Sequence, residues 1–144
     1  MNILQKSVCA LLLMAMCHGT HAAGTLGVMD AWMRASTSGG DVEAYATLVN
    51  NGDARLRILT VQSDQFRMTS ILDTVSDDGR AGVRKLRALT LDPGERLILQ
   101  PAGVHVRLMQ PRQPVQASDV VDVIFLLEDG TRVPTRFDVR AASD

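Results

Sequence analysis

Cysteine is scarce in this chain of 144 residues, which contains only Cys9 and Cys17. Both lie within residues 1–23, a segment with the organisation of a secretory signal peptide. We therefore expect a mature domain of residues 24–144 that has no cysteine. This absence excludes a disulfide and a thiolate metal ligand, so packing alone must hold the fold in an oxidising compartment.

The signal segment has three recognisable parts. Lys6 supplies its positive charge, residues 8–16 form its apolar stretch, and small residues near Ala22 and Ala23 mark the expected cleavage region. The apolar stretch is too short to span a bilayer, so we expect no transmembrane helix. The protein should therefore be periplasmic or secreted after cleavage.

A lipid anchor is the alternative for the same segment, with Cys17 as the lipid acceptor. An acceptor cysteine normally follows a small residue, whereas Met16 precedes Cys17 here. The residues therefore favour a cleaved signal peptide over a lipoprotein.

An excess of either charge is also missing. Without residues 1–23 the chain keeps 121 residues, with 14 basic and 16 acidic side chains and a net charge of −2. No basic block suits a nucleic acid or an anionic membrane surface. The length fits one domain, and we expect it to be a monomer.

Helical periodicity of useful length is absent, and short apolar runs alternate with turn residues instead. Eight or nine short strands at such spacing favour an all-β, antiparallel sandwich or barrel. The runs lie in nine stretches, residues 28–35, 42–49, 56–61, 68–75, 82–86, 89–91, 97–109, 120–127 and 131–139. Turn signals follow several of them: Asn50-Asn51-Gly52, Asp78-Gly79, Asp92-Pro93-Gly94 and Asp129-Gly130.

The stretch 97–109 is the most informative, because it contains His105, the only histidine of the expected mature domain. A Pro-Ala-Gly break divides it into two strands, and side chains alternate along the second. Val104, Val106 and Leu108 face one way, while Gly103, His105, Arg107 and Met109 face the other. The first set is typical of a core face, so any function should lie on the His105 side.

Catalytic motifs are likewise missing. The chain has no Gly-x-Ser-x-Gly sequence and no glycine-rich loop that could hold a phosphate. No serine lies within a recognisable motif. We therefore expect a protein that is not an enzyme.

Several ordered pieces of the sequence resemble the periplasmic copper chaperones called PCuAC. The pieces are Ala31-Trp32-Met33-Arg34-Ala35, Ala44-Tyr45-Ala46-Thr47-Leu48 with Asn50 and Gly52, Asp78-Gly79, Pro93-Gly94, and residues 97–109. The resemblance implies a cupredoxin-like, Greek-key β-sandwich. It also implies copper as cargo, transfer by ligand exchange, and a cytochrome oxidase copper-site assembly protein as partner.

The copper ligands that the resemblance implies are mostly replaced in this chain. The family combines a histidine, a methionine and a later His-x-Met pair, and these positions fall at Asp73, Arg84, His105 and Arg107. Only His105 is retained, with Asp73 as a substitute oxygen donor. Met109 shares the face of His105, but four residues along a strand span about 13 Å, too far to hold one ion together.

Arginine at two ligand positions suggests a different function. A guanidinium group has no lone pair to donate to a cation and carries a permanent positive charge. Asp73, Arg84 and Arg107 could instead form a charge cluster that binds a protein or an anion, in a scaffold derived from the copper-binding family. Both hypotheses stay open at the level of sequence.

The remaining apolar residues have simpler interpretations. Trp32 is expected to be a core aromatic residue, and Met33 and Met109 are expected to pack rather than bind metal. The spacing gives Met29 no role.

Overall fold

The computed structural model describes residues 25–36 and 38–142, so the segment predicted to be a signal peptide lies outside the described residues. Within these ranges the chain forms ten strands and no helix, which confirms the all-β prediction. None of the described residues forms a helix that is long and apolar enough to cross a membrane. The strands are β1 (Leu26–Arg34), β2 (Val42–Asn50), β3 (Leu56–Gln62), β4 (Phe66–Asp77), β5 (Arg80–Leu86), β6 (Leu89–Leu91), β7 (Arg96–Leu99), β8 (Val104–Pro111), β9 (Val120–Leu127) and β10 (Arg132–Arg140).

Turn residues end the strands where the sequence predicts. In the β4–β5 hairpin, Asp78 and Gly79 have φ values of 47° and 75°, the left-handed conformation that a tight hairpin turn requires. At the end of β2, the amide of buried Asn50 donates to the carbonyls of Ala54 and Leu91 at 2.8 and 3.0 Å. Its Oδ1 also accepts the Gly52 N–H, so one side chain closes this turn.

The strands form one continuous sheet in the order β5-β4-β8-β2-β1-β10-β9-β3-β6, and β7 also pairs with β2. Thr69 on β4 donates a side-chain hydrogen bond to the carbonyl of Val61 on β3, which joins strands far apart in this order. The sheet therefore folds over on itself around one core.

One pairing differs from the expected antiparallel arrangement, and one edge of β2 is shared by two strands. β1 and β10 pair in parallel, with Trp32 opposite Asp138, so the antiparallel expectation is wrong for this pair. β7 and β8 follow each other along the same edge of β2, with Leu99 opposite Ala46 and Val106 opposite Ala44. The Pro-Ala-Gly break thus carries the chain from one part of β2 to the next.

Side-chain alternation builds the core. Val121, Val123, Phe125 and Leu127 on β9 are all buried, and the Phe125 ring lies 6.4 Å from that of Phe137 on β10. Burying each such side chain stabilises the fold by about 1.5–3 kcal/mol. Apolar packing therefore supplies the stability that no disulfide provides.

A bulge in β1 changes which side chains face the core. Met29 lies opposite Thr47, but Trp32 lies opposite Tyr45, so β1 has one extra residue between these pairs. Asp30 in this bulge has a φ of 51°. Because a bulge shifts the alternation by one, Met33 rather than Trp32 is buried in the core.

β8 positions the candidate site, because it lies between β4 and β2 with one face in the core. Val106 and Leu108 are buried there, as the alternation predicts. His105 and Arg107 lie on the opposite face, which we call the His105 face.

Candidate functional site

Glu43 is the centre of a group of polar side chains on the His105 face. Its Oε1 accepts a hydrogen bond from Nη2 of Arg107 at 2.9 Å, and its Oε2 accepts one from the Tyr45 hydroxyl at 2.7 Å. Nε2 of His105 lies 3.7 Å from the same Oε1. We call Glu43, Tyr45, His105 and Arg107 the Glu43 cluster.

The strand register produces this cluster. Glu43 and Tyr45 are two residues apart on β2, and His105 and Arg107 are two apart on β8, so each pair shares a face. Glu43 lies directly opposite Arg107 in the antiparallel β2–β8 ladder. Four polar side chains therefore meet on one surface of two neighbouring strands.

His105 is buried although it lies on the face opposite the core, with only 2% of its surface exposed. Its Nδ1 lies 3.0 Å from the carbonyl oxygen of Gly103, and a carbonyl can only accept, so Nδ1 carries a proton. Nε2 is buried and has no hydrogen-bond partner. The ring thus presents an unsatisfied nitrogen toward Glu43.

The pKa values of the cluster follow from these contacts. Burial raises the pKa of Glu43, but hydrogen bonds from Arg107 and Tyr45 and the nearby positive charge outweigh it and leave that pKa below its usual value. Burial, reinforced by the Glu43 carboxylate, raises the pKa of Tyr45 strongly. Glu43 is therefore an anion at neutral pH, and Tyr45 remains a neutral donor.

Aromatic and cationic side chains extend the cluster across the next two strands. The Trp32 ring on β1 lies 4.7 Å from the Tyr45 ring, tilted by 48°. The guanidinium carbon of Arg140 on β10 lies 4.5 Å from the centroid of the Trp32 ring, within range of a cation–π contact. Trp32 therefore packs outside the core, and the expectation of a core aromatic residue is wrong because of the β1 bulge.

A small cleft opens beside the cluster, with a volume of about 230 Å³. This is below the range typical of drug-sized ligands, so it suits a small group. The side chain of Arg34 has no hydrogen bond or ion pair with any other described residue. The cleft is lined by Arg34, Ala35, Asp41, Val42, Glu43, Tyr45 and Arg107.

The charge cluster predicted from sequence is only partly formed. Arg84 Nη2 lies 2.8 Å from Asp73 Oδ2, as the hypothesis requires. Arg107 is not part of it and pairs with Glu43, so the hypothesis of a three-residue cluster is wrong for this member. Asp73 lies opposite Val104, whereas Arg107 lies opposite Ser70, and alternation places Asp73 and Arg107 on opposite faces.

The same register separates Asp73 from His105. Leu72, not Asp73, lies opposite His105 on β4, and Lys85 lies opposite Leu72 on β5. The side chains that lie next to His105 across β4 and β5 are therefore those of Leu72 and Lys85, an isobutyl group and an ammonium group. Neither is a copper ligand.

The methionines also lie away from His105. Met109 lies opposite Met68 and is four residues from His105 on β8, a separation of about 13 Å in an extended strand. Met33 is buried in the core, as its packing interpretation predicts, and Met29 is exposed on β1. Within the described residues, no three His, Cys, Asp or Glu side chains form a group that could hold a metal ion. Cu(I) prefers thioether and imidazole donors, so the cluster does not fit it.

Sequence reasoning missed Glu43 and Tyr45. Alternation along residues 42–49 places both side chains on one face of a strand, and this is the signal in the sequence that could have identified them. Their position beside His105 depends on the β2–β8 register, which local sequence does not specify.

Solved structures with the same architecture include PCuAC domains. The apo PCuAC domain from PmoF1 matches with a TM-score of 0.68 at 22% identity, covering 82% of this chain and 95% of that domain. The copper-bound PCuAC domain from PmoF2 gives 0.67 at 23%, covering 83% and 96%. Copper(I)-bound DR1885 from Deinococcus radiodurans gives 0.63 at 22%, covering 86% and 83%. The fold is therefore that of the PCuAC domain.

A family model assigns the chain more narrowly. Residues 26–139 match the family described as "Putative lipoprotein LpqE-like", and the chain belongs to this LpqE-like family. A relative from Leifsonia xyli subsp. xyli, "Putative lipoprotein Lxx21020", is 26% identical over 114 residues, which cover 78% of this chain and 68% of the relative.

Proposed function

We propose that this protein is an extracytoplasmic binding domain of the PCuAC fold that recognises an anionic group at the cleft beside the Glu43 cluster. The observation that carries the proposal is Arg34, which lines this cleft and forms no hydrogen bond or ion pair with another described residue. Arg107, held 2.9 Å from Glu43 on the His105 face, can donate hydrogen bonds to an anion but cannot ligate a metal ion.

Arg34 completes the argument for an anion. Arg107 is held by Glu43, but Arg34, on the same cleft, has no ionic partner among the described residues. A carboxylate can accept two parallel hydrogen bonds from a guanidinium group. A carboxylate group that enters the cleft would therefore meet one free and one oriented arginine.

Binding rather than catalysis is favoured by the contacts of His105. Its Nδ1 is held by the Gly103 carbonyl, and its Nε2 faces a carboxylate that is already occupied by Arg107. No hydroxyl group of a described residue forms a hydrogen bond with this ring. His105 therefore lacks the nucleophile contact that acyl-transfer chemistry needs.

An NMR titration with acetate tests the anion site. Acetate should shift the side-chain Nε–H signals of Arg34 and Arg107, and Arg34→Gln should abolish the saturable response. Arg96→Gln, an exposed arginine on β7, is the matched control and should respond like the wild type. Equal responses of the wild type and both variants would show that acetate does not bind in the cleft.

Copper carriage by ligand exchange is the second candidate, with an oxidase copper-site assembly protein as partner. The unpartnered, buried Nε2 of His105 favours it, because an imidazole nitrogen is a copper donor. A Cu(I) titration against a competing chelator separates the two functions. Tight, stoichiometric binding that His105→Ala abolishes would establish copper carriage. The absence of measurable binding would favour the anion site as the function of the domain.

The family description also bears on localisation. A lipoprotein carries its lipid on an N-terminal cysteine, and Cys17 is the residue that could accept it, instead of cleavage near Ala22 and Ala23. Both routes place the domain outside the cytoplasm. The mass of the mature N-terminal peptide distinguishes them.

A further inference from the structure

β5 is an edge strand of the sheet and is the longer of its two edges. It pairs with β4 through seven consecutive residue pairs, from Asp77 opposite Arg80 to Ile71 opposite Leu86. No strand of the described residues pairs with its other side. Every second residue of such an edge directs its N–H and C=O groups outward, so β5 offers a row of free hydrogen-bonding groups.

The structure leaves this edge accessible. All residues of β5 except Leu86 are exposed, and Val83 has 53% of its surface exposed. The register has no bulge and the strand contains no proline, two devices by which proteins block an edge. The opposite edge, β6, has only three residues and is followed by Pro93. Strand pairing is therefore favoured at β5 and not at β6.

Positively charged side chains protect β5 against pairing with another strand. Arg80, Arg84, Lys85 and Arg87 lie along it or directly after it, and no acidic residue occurs from 79 to 91. Arg84 pairs with Asp73, while the other three form no ion pair with described residues. Arg80 and Arg84 project from one face of the strand and Lys85 from the other.

This charge decides which occupant fits. A second copy of β5, placed antiparallel about Val83, would bring two strands of like charge together, with Arg84 and Lys85 beside Gly82 and Ala81 of the other copy. Diagonal neighbours in such a ladder are about 7–8 Å apart, within the Debye length, so the charges repel. An extended segment rich in Asp or Glu would meet the same side chains with opposite charge.

The geometry points to β5 as a docking edge for an extended acidic polypeptide segment, which adds an eleventh strand beside it. Backbone hydrogen bonds hold the segment in line, and Arg80, Arg84 and Lys85 select acidic side chains on both faces. This surface lies on a different strand from the cleft beside Glu43, so it is independent of the anion proposal.

Two synthetic peptides test the edge, one repeating Glu-Glu-Val-Val and one repeating Lys-Lys-Val-Val, so that each presents its charges on both faces of an extended strand. The acidic peptide should shift the amide signals of β5 in the NMR spectrum of the whole domain and slow their hydrogen exchange, and the basic peptide should do neither. Shifts confined to the cleft beside Glu43, or equal binding of both peptides, would overturn the proposal.

Variants make the test specific. The double change Arg80→Glu with Lys85→Glu should weaken binding of the acidic peptide by about tenfold, since each exposed pair contributes up to about 1 kcal/mol. Both side chains are exposed, so the fold should persist. Arg96→Glu on β7 should change affinity by less than about twofold. Concentration-dependent dimers of the wild type that the double variant abolishes would show a second copy at this edge and overturn the acidic segment.

Discussion

Glu43 and Arg107 lie directly opposite each other on β2 and β8, with 2.9 Å between Oε1 and Nη2. The pair lies beside His105, and its charged groups are not the soft donors that Cu(I) prefers.

Glu43→Gln should destabilise the domain in a pH-dependent way. The carboxylate accepts hydrogen bonds from Tyr45 and Arg107, so its replacement should cost about 1–3 kcal/mol near neutral pH. Because folding lowers the pKa of Glu43, this stabilisation is present above the ordinary carboxyl pKa of about 4.3 and is lost as the pH falls through the lowered value. Urea unfolding at neutral and acidic pH measures it.

The control for this prediction is Asp53→Asn, an exposed carboxylate in the turn after β2. It should change the unfolding free energy by less than about 0.5 kcal/mol at either pH. A Glu43→Gln effect that is the same in acid and at neutral pH would contradict the argument.

His105 should be protonated on Nδ1 in its neutral form. The Gly103 carbonyl accepts from Nδ1, whereas Nε2 has no partner that would hold a proton. Long-range ¹⁵N correlation spectra of the imidazole ring distinguish the two tautomers. A neutral ring with its proton on Nε2 would show that the contact with Gly103 is not maintained in solution.

Arg107→Gln should cost more stability than Arg84→Gln. Loss of Arg107 leaves the half-buried Glu43 carboxylate without its main partner, at a cost of about 1–3 kcal/mol. The Arg84 guanidinium group is 64% exposed, so water screens the Arg84–Asp73 pair from the arginine side although Asp73 itself is only 22% exposed, and its loss should cost less than about 1 kcal/mol. The two variants are matched controls for each other, and equal losses in denaturant unfolding would be evidence against the burial argument.

Arg140→Gln should weaken packing at Trp32, the only tryptophan of the chain. A cation–π contact at an exposed site contributes about 0.5–1 kcal/mol, and the stability loss should lie in that range. Trp32 fluorescence reports both the local change and the unfolding transition. Arg136→Gln is the control on the same strand. The Arg136 guanidinium group lies 3.9 Å from Asp122, so its loss should leave the spectrum unchanged.

Local sequence predicted the strands well because alternation and turn residues act over short distances. The Asp78-Gly79 turn and the buried face of β9 follow from a few neighbouring residues. The parallel pairing of β1 with β10 and the meeting of Glu43 with Arg107 depend on residues far apart in the chain. No short stretch of the sequence specifies which distant strands pair.

The site was harder to predict than the fold for a specific reason. A shift of one residue moves a strand side chain to the other face, so Asp73 and Leu72 exchange roles when the alignment slips by one position. The alignment by sequence therefore puts Asp73 beside His105, whereas the Asp73 side chain lies on the opposite face of the sheet. Fold assignment tolerates that error, and assignment of ligands does not.

The extra residue in β1 has a consequence for engineering. Deleting Asp30 should remove the bulge and leave the pairs beyond it unchanged, with Trp32 still opposite Tyr45 and Met33 still opposite Ala44. The indole then keeps its place beneath Arg140, and the thioether stays in the core. This strand can therefore lose one codon at the bulge without remodelling the outer surface.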